Sequence, residues 1–467
     1  MLRVWTAFAI ALMLSSAPAC GGSRSPAPSA TVSVTVNRSS NGVILAPGFA
    51  GFSYEKSHVN VPFFNAGNTA LATLFQRLGH GILRVGGNSV DKTTWNATGS
   101  GLTAGSIAPA DIDRLAGFLK AAGWQVIYGL NFATNSPGQM ASEAAYAAKS
   151  LGDRLYGFEI GNEPDLYHSN GLRPTTYTYS EFMAEWEAYA AAIRAQVPGV
   201  VLTGPASASN TNGYTLPFAA AESAKIDLLT QHYYRANGQA PTSTIDLLLE
   251  PDPSLSTMLQ ALKTAASASK ISGAYRIAEA NSFYNGGAPN VSDAFGTALW
   301  AIDFLFTNAA SGSSGVNFHG GGKGSGYTPI ADDGTHVVEV RPEYYGIYLF
   351  SMAASGTLLA TQVDAGGLAL SAYAVAASDG STAVLLVNKD RSKNADMTVD
   401  LGAAYTRATL TPLTGPSLDS PTGELLQGAP ISADGSWNPT ATATVSVRGH
   451  LVAFAVPASS AALVRAE

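Results

Sequence analysis

The 467-residue chain contains one cysteine, Cys20, so no disulfide can form within it and any second domain must be held without one. Charged residues make up only 13% of it, 33 acidic against 26 basic, for a net charge of −7. No basic cluster able to neutralise a phosphate backbone is present, which argues against nucleic acid as a partner. An anionic small molecule stays open, because local donors rather than net charge decide what one pocket holds. Beyond the first residues no run approaches the ~18 to 20 apolar residues that span a bilayer, so no transmembrane segment is expected. Hydrophobic residues reach 46%, with 48 glycines and 24 prolines, as in a turn-rich globular protein. The length exceeds the ~250–300 residues at which single cores stop growing, and two domains are expected.

The first 19 residues read as a signal peptide. Arg3 supplies the positive start, Val4 to Leu14 the apolar run and Ala17-Pro18-Ala19 a small-residue cut site, so the protein is expected to be exported: periplasmic, at the cell surface or secreted. Cys20 then either carries a lipid, as in a bacterial lipoprotein, or merely neighbours the cut; Ala17 stands where the lipoprotein motif usually has leucine. Residues 20–30, rich in Gly, Ser and Pro, are expected to be a flexible tether.

Thr31 to Val36 alternates as a strand should, yet precedes the helix–strand pattern, so residues 31–46 are expected to pair elsewhere. Residues 47–356 alternate short apolar runs with longer helical ones, the pattern of parallel βα units. Eight strand candidates, near 48–53, 81–85, 125–130, 155–161, 200–204, 228–233, 275–280 and 316–319, predict a closed (β/α)₈ barrel. Residues 357–467 change to period two and read as a β-sandwich domain that also takes the N-terminal strand.

The mouth of such a barrel collects residues at the C-terminal ends of its strands. These are Glu55, Arg84 with Asn88, Asn131, Asn162 with Glu163, His232 with Tyr233 and Tyr234, Glu279, and His319. Carboxylates on strands four and seven can flank one bond, the arrangement that glycoside cleavage needs. Arg84 at the mouth would keep Glu279 ionised, the competing reading being a structural tie. Alternation sends only one of Tyr233 and Tyr234 inward to orient Glu279. His232 and His319 read as packed or sugar-contacting, and no metal or other cofactor is expected.

Phe158-Glu159-Ile160-Gly161-Asn162-Glu163-Pro164 and Tyr275-Arg276-Ile277-Ala278-Glu279-Ala280-Asn281 resemble the two catalytic strands of retaining (β/α)₈ glycosidases. The more specific resemblance is to glycoside hydrolase family 79, which contains β-glucuronidases and heparanases. It implies that Glu163 is the acid/base and Glu279 the nucleophile, with Asn162 on the sugar 2-OH. It further implies an exo-acting enzyme whose substrate is a terminal β-linked glucuronide. Tyr284 and Gly286, after strand seven, and Tyr327, in the glycine-rich loop after strand eight, would hold the carboxylate; Glu55 and Asn88 would bind other hydroxyls. Phenol and unhindered amide donors suit an anion. The glycine-rich stretch itself, Gly320 to Gly324, reads as a mobile rim loop. Three rivals stand beside this reading: a clan relative acting on a neutral sugar, an endo-acting heparanase-like enzyme, and a non-catalytic carbohydrate-binding protein.

Overall fold

A computed structural model describes residues 27–467 apart from Ser325 and Ala441. The expected signal segment and Cys20 lie outside the described residues. No helix among the described residues is long and apolar enough to cross a membrane.

All eight strand candidates form one closed parallel barrel, in chain order Ala50–Glu55, Ile82–Gly86, Gln125–Leu130, Leu155–Ile160, Leu202–Ser207, Leu228–Tyr234, Tyr275–Asn281 and Val316–Gly320. Both faces of these strands are covered, which is why they read as nearly continuous apolar runs. In helix Pro109–Ala122 proline opens the first turn and Gly123, in the left-handed conformation, ends the last. Helices Thr69–Arg77 and Leu216–Glu222 were not expected from the sequence. The first is capped by the Asn68 side chain, which accepts from the Leu71 amide, but its nine residues offer only two turns of periodicity.

The second domain is a sheet-on-sheet structure. Ser29–Asn37 joins it, running antiparallel to Thr357–Asp364 and parallel to Asn394–Asp400. Thr357–Asp364 passes between layers: its first residues pair with Leu370–Ala376 and its last with the N-terminal strand. Val32, Val34 and Val36 point into the sandwich core beside Met397, Val399, Val384 and Leu386, so the Thr-Val-Ser-Val-Thr-Val alternation records one buried and one solvated face.

Thr382–Asn388 is buried on both faces. Val384 and Leu386 face the sandwich interior, while Ala383, Leu385 and Val387 join the barrel core. That contact explains why helices Gly296–Ala310 and Pro342–Ala353 are apolar around most of their circumference, since both are sandwiched between barrel and sheet. Phe306 stacks on Tyr373 at 4.3 Å, and Asp303 accepts from Lys389 at 2.5 Å and Tyr373 at 2.9 Å across the same junction.

Candidate active site

Register brings the site together. His319 on strand eight lies beside Ser53 on strand one, which lies beside Arg84 on strand two. On the far wall His232 of strand six pairs with Glu279 of strand seven. These side chains meet in the mouth because each occupies an inward position near the C-terminal end of its strand.

Arg84, fully buried, is the hub. Its Nη1 donates to Glu279 Oε2 at 2.6 Å and to Ser53 Oγ at 3.2 Å, its Nε to Glu159 Oε2 at 2.5 Å, and its Nη2 to Asn162 Oδ1 at 2.8 Å. Glu159 also accepts from Thr230 Oγ1 at 2.9 Å. The planar guanidinium thus fixes two carboxylates and an amide at once, which a point-like ammonium could not do. The expected tie between Arg84 and Glu279 is present, and it extends to Asn162. With Asn162 Oδ1 engaged, its amide NH₂ has no acceptor among the described residues and is available to the mouth.

Tyr234 donates its hydroxyl to Glu279 Oε1 at 2.8 Å. Tyr233 points the other way, stacking on Phe304 at 5.1 Å and donating to Asp252 at 2.8 Å. Of the two tyrosines placed at the site from sequence, Tyr233 therefore does not belong to it: strand alternation sends it into the packing between barrel and helix. His232 shares Tyr234's inward parity, and its Nδ1 lies 3.0 Å from Glu163 Oε1.

Glu163 follows strand four in a left-handed backbone conformation, with φ of 54°, held by its amide donating to Ala206 O. The turn before it is anchored by buried Asp91, which accepts from the Asn162 amide at 3.2 Å and the Tyr167 hydroxyl at 2.6 Å. Oxygens of Glu163 and Glu279 and a ring nitrogen of His232 lie within 4.8 Å of one another. Those donor types could face a cation. Arg84 already supplies a positive charge at 2.6 Å from Glu279, and Tyr234 occupies its other oxygen.

Burial alone would raise Glu279, yet its carboxyl lies well below the usual carboxylate range, because the charges of His319, His232 and Arg84 and the Tyr234 hydroxyl outweigh desolvation. His319 moves up from the ordinary histidine value: burial opposes its charge, but Glu279 and Glu55 favour it more strongly. Its Nδ1 sits 3.7 Å from Glu279 and its Nε2 3.8 Å from Glu55. Both histidines thus have the carboxylate neighbours that spacing along the chain did not disclose, since these come from other strands.

At the rim, Glu55 accepts from the amides of Asn88 at 3.2 Å and Ser89 at 2.7 Å, so it shapes the loop after strand two as well as facing His319. Gly87 permits this: at φ of +63°, a Cβ there would sit 2.6 Å from the Glu55 carboxyl. The Asn88 side chain is exposed beside it. Asn131 does not reach the mouth; its amide donates to Thr93 O and Thr134 Oγ1. Tyr327 does, its ring 5.7 Å from Tyr234 and 6.0 Å from His319.

Tyr284 is 45% exposed beyond strand seven. Its loop lies against the glycine-rich loop: a Cβ on Gly326 would fall 1.9 Å from Gly286 O, a closeness only glycine allows. Tyr284, Gly286 and Tyr327, distant in sequence, thus belong to two loops in backbone contact. In the glycine-rich loop the Gly321 amide donates to Thr328 Oγ1 and the Gly322 amide to Asp332 Oδ2, and Arg341 donates to the carbonyls of Gly324 and Gly326.

Fold and site together define a class: a closed (β/α)₈ barrel with paired carboxylates on strands four and seven, the arrangement of glycoside hydrolases. Residues 88–306 match the family model described as Glycosyl hydrolase family 79, N-terminal domain. A β-glucuronidase from Aspergillus niger is 29% identical over 252 residues, covering 48% of this chain and 46% of the relative. One from Neurospora crassa is 25% identical over 361 residues, covering 66% and 64%. The chain thus aligns with less than two thirds of the length of either. Among solved structures, a 4-O-α-L-rhamnosyl-β-D-glucuronidase from Fusarium oxysporum superimposes with a TM-score of 0.77 at 20% identity, over 92% of this chain and 99% of that one. A family 51 arabinofuranosidase from Xanthomonas axonopodis pv. citri gives 0.67 at 17%, over 94% and 100%. The two structures share the fold with this chain, and the sequence matches establish its resemblance to family 79.

Glu159, Ser53, Thr230 and Asp91 were not read from the sequence as part of the site. Glu159 lies four residues before Glu163 on the motif strand, and a buried carboxylate there calls for a cationic partner; that was the available signal. Ser53, Thr230 and Asp91 are ordinary polar residues whose roles follow only from register.

Proposed function

We propose that the protein is a retaining exo-β-glucuronidase that cleaves a terminal β-linked glucuronic acid through a covalent glycosyl-enzyme. The observation that carries this is the asymmetric carboxylate pair. Oxygens of Glu163 and Glu279 approach within 4.8 Å, and of these two carboxyls only Glu279 accepts from Arg84 and Tyr234. Carboxyl groups ~5–5.5 Å apart suit a nucleophile, whereas ~6.5–9.5 Å would leave room for an inverting water.

In the first step a Glu279 oxygen bonds to the anomeric carbon as the glycosidic C–O bond breaks, and Glu163 delivers its proton to the departing oxygen. Bonding consumes the Glu279 charge. Glu163, now a carboxylate, takes a proton from water as that water's oxygen displaces Glu279 from the anomeric carbon. Arg84 and Tyr234 stabilise the carboxylate that leaves. The free NH₂ of Asn162 is suited to the 2-OH, a contact that strengthens in the transition state.

Tyr284, the Gly286 segment and Tyr327 form the pocket we assign to the substrate carboxylate, with Glu55 and Asn88 toward the remaining hydroxyls. The curated relatives are β-glucuronidases, which supports that choice of sugar. The amino-terminal segment supports export, with Cys20 as a candidate lipid-bearing residue.

The test is hydrolysis of p-nitrophenyl β-D-glucuronide beside the glucoside, galactoside and xyloside, with Glu163→Gln and Glu279→Ala as variants. Preference for the glucuronide, with turnover falling by ~10²–10⁴ in Glu163→Gln, is expected. Preference for a neutral sugar removes the glucuronate assignment, and cleavage by Glu279→Ala at the wild-type rate removes the mechanism.

A further inference from the structure

Arg341 lies outside the catalytic centre, at the end of the hairpin that follows the glycine-rich loop, and is 7% exposed. Its Nη1 donates to Gly326 O at 2.9 Å and its Nη2 to Gly324 O at 2.9 Å, while Nε donates to Glu339 Oε2 at 3.0 Å. A buried guanidinium that spends two of its nitrogens on loop carbonyls sets the orientation of those peptide planes.

Gly326 O belongs to the same peptide as the Tyr327 amide. In a trans peptide the carbonyl and N–H point in opposite directions, so turning Gly326 O toward Arg341 turns the Tyr327 N–H away from it. That nitrogen lies on the side of the strand-seven loop: a Cβ on Gly287 would come 2.7 Å from it. The Tyr327 nitrogen thus lies against the Gly286–Gly287 segment, the segment assigned to the substrate carboxylate. A cation bonded to the carbonyl also polarises the peptide and makes its N–H a stronger donor to an anion.

We propose that Arg341 is a positioning residue for anion selectivity, acting through the Gly326–Tyr327 peptide to aim and polarise a donor at the substrate carboxylate. The inference rests on the glucuronidase reading, and it adds a cation that never touches the sugar. Arg341 thereby separates recognition of the carboxylate from the chemistry, which Arg84 serves.

The experiment compares wild type, Arg341→Lys and Arg341→Gln on p-nitrophenyl β-D-glucuronide and p-nitrophenyl β-D-glucoside, with thermal melting as the folding control. For Arg341→Gln the glucuronide KM is expected to rise about ten-fold, the loss of one charge-assisted hydrogen bond, with kcat little changed and the weak glucoside activity unaffected. Arg341→Lys, which keeps the charge but not the two-carbonyl fork, should fall between the two. Equal losses on both substrates, or no loss on either, overturn the proposal while leaving the glucuronidase reading standing. A wild-type enzyme without preference for the glucuronide overturns both.

Discussion

Replacing Arg84 by lysine tests whether one guanidinium organises the reaction. Arg84 donates to Glu279, Glu159, Asn162 and Ser53, all within 3.2 Å. At an effective dielectric near 20, unit charges ~4 Å apart attract by about 4 kcal/mol, and lysine keeps much of that attraction. It cannot keep the fork, because one ammonium on a flexible stem cannot meet both carboxylates and the Asn162 amide in their present places. Losing one charge-assisted hydrogen bond to Glu279 is worth ~1.5–3 kcal/mol. If the transition state feels all of it, kcat falls roughly 10- to 150-fold. The same change weakens a contribution holding Glu279 below the usual carboxylate range, so its carboxyl moves up.

The sign of the pH effect follows. The nucleophile must be ionised, so the acid limb of the kcat/KM profile shifts to higher pH in Arg84→Lys. Glu279 is a depressed carboxyl, and its contribution to stability is present above the unfolded value and lost as pH falls through the folded one; the variant therefore loses its stability at higher pH during acidification. Steady-state hydrolysis of p-nitrophenyl β-D-glucuronide from pH ~3 to ~8, beside thermal melting over the same range, reads both effects. An acid limb in its wild-type place together with an unchanged kcat would refute the assignment of Arg84 as the organiser of Glu279.

The two adjacent tyrosines should separate cleanly. Tyr234→Phe should lower kcat ~10-fold or more by removing the hydroxyl on the nucleophile, whereas Tyr233→Phe should leave kcat unchanged and cost about 1 kcal/mol of stability through its bond to Asp252, read by kinetics and melting. His319 is raised in the fold, so its contribution to stability is complete below the ordinary histidine value and lost as pH rises through the folded one; His319→Gln should flatten that alkaline decline in melting temperature. In the second domain Val34 is buried between Val363 and Val399, so Val34→Asp should destabilise by ~3 kcal/mol or more, while Thr35→Ser on the exposed face should change melting little.

The barrel was legible because its signal is local. Strand runs such as Gln125–Leu130 and helices such as Pro109–Ala122 carry their own period and punctuation, and eight βα units in series leave few ways to close. The strand at Ser29–Asn37 announced a half-buried sheet by strict alternation. Glu163 and Glu279 were legible because two motif strands place them at the ends of strands four and seven.

The sequence by itself thus determined the eight barrel strands, their order around the barrel, and the two carboxylates at its mouth. Tertiary structure alone decided which neighbours those carboxylates have. The choice of Tyr234 over Tyr233 depended on which strand face turns inward, and the carboxylate contacts of His232 and His319 depended on register between strands far apart in the chain. Arg84's reach to Glu159 and Asn162, and Arg341's hold on the loop bearing Tyr327, also join residues that share no local pattern. Periodicity reports which side of an element is buried, because burial repeats along it; a hydrogen bond across a barrel depends on stagger and side-chain direction, which appear only when the sheet closes.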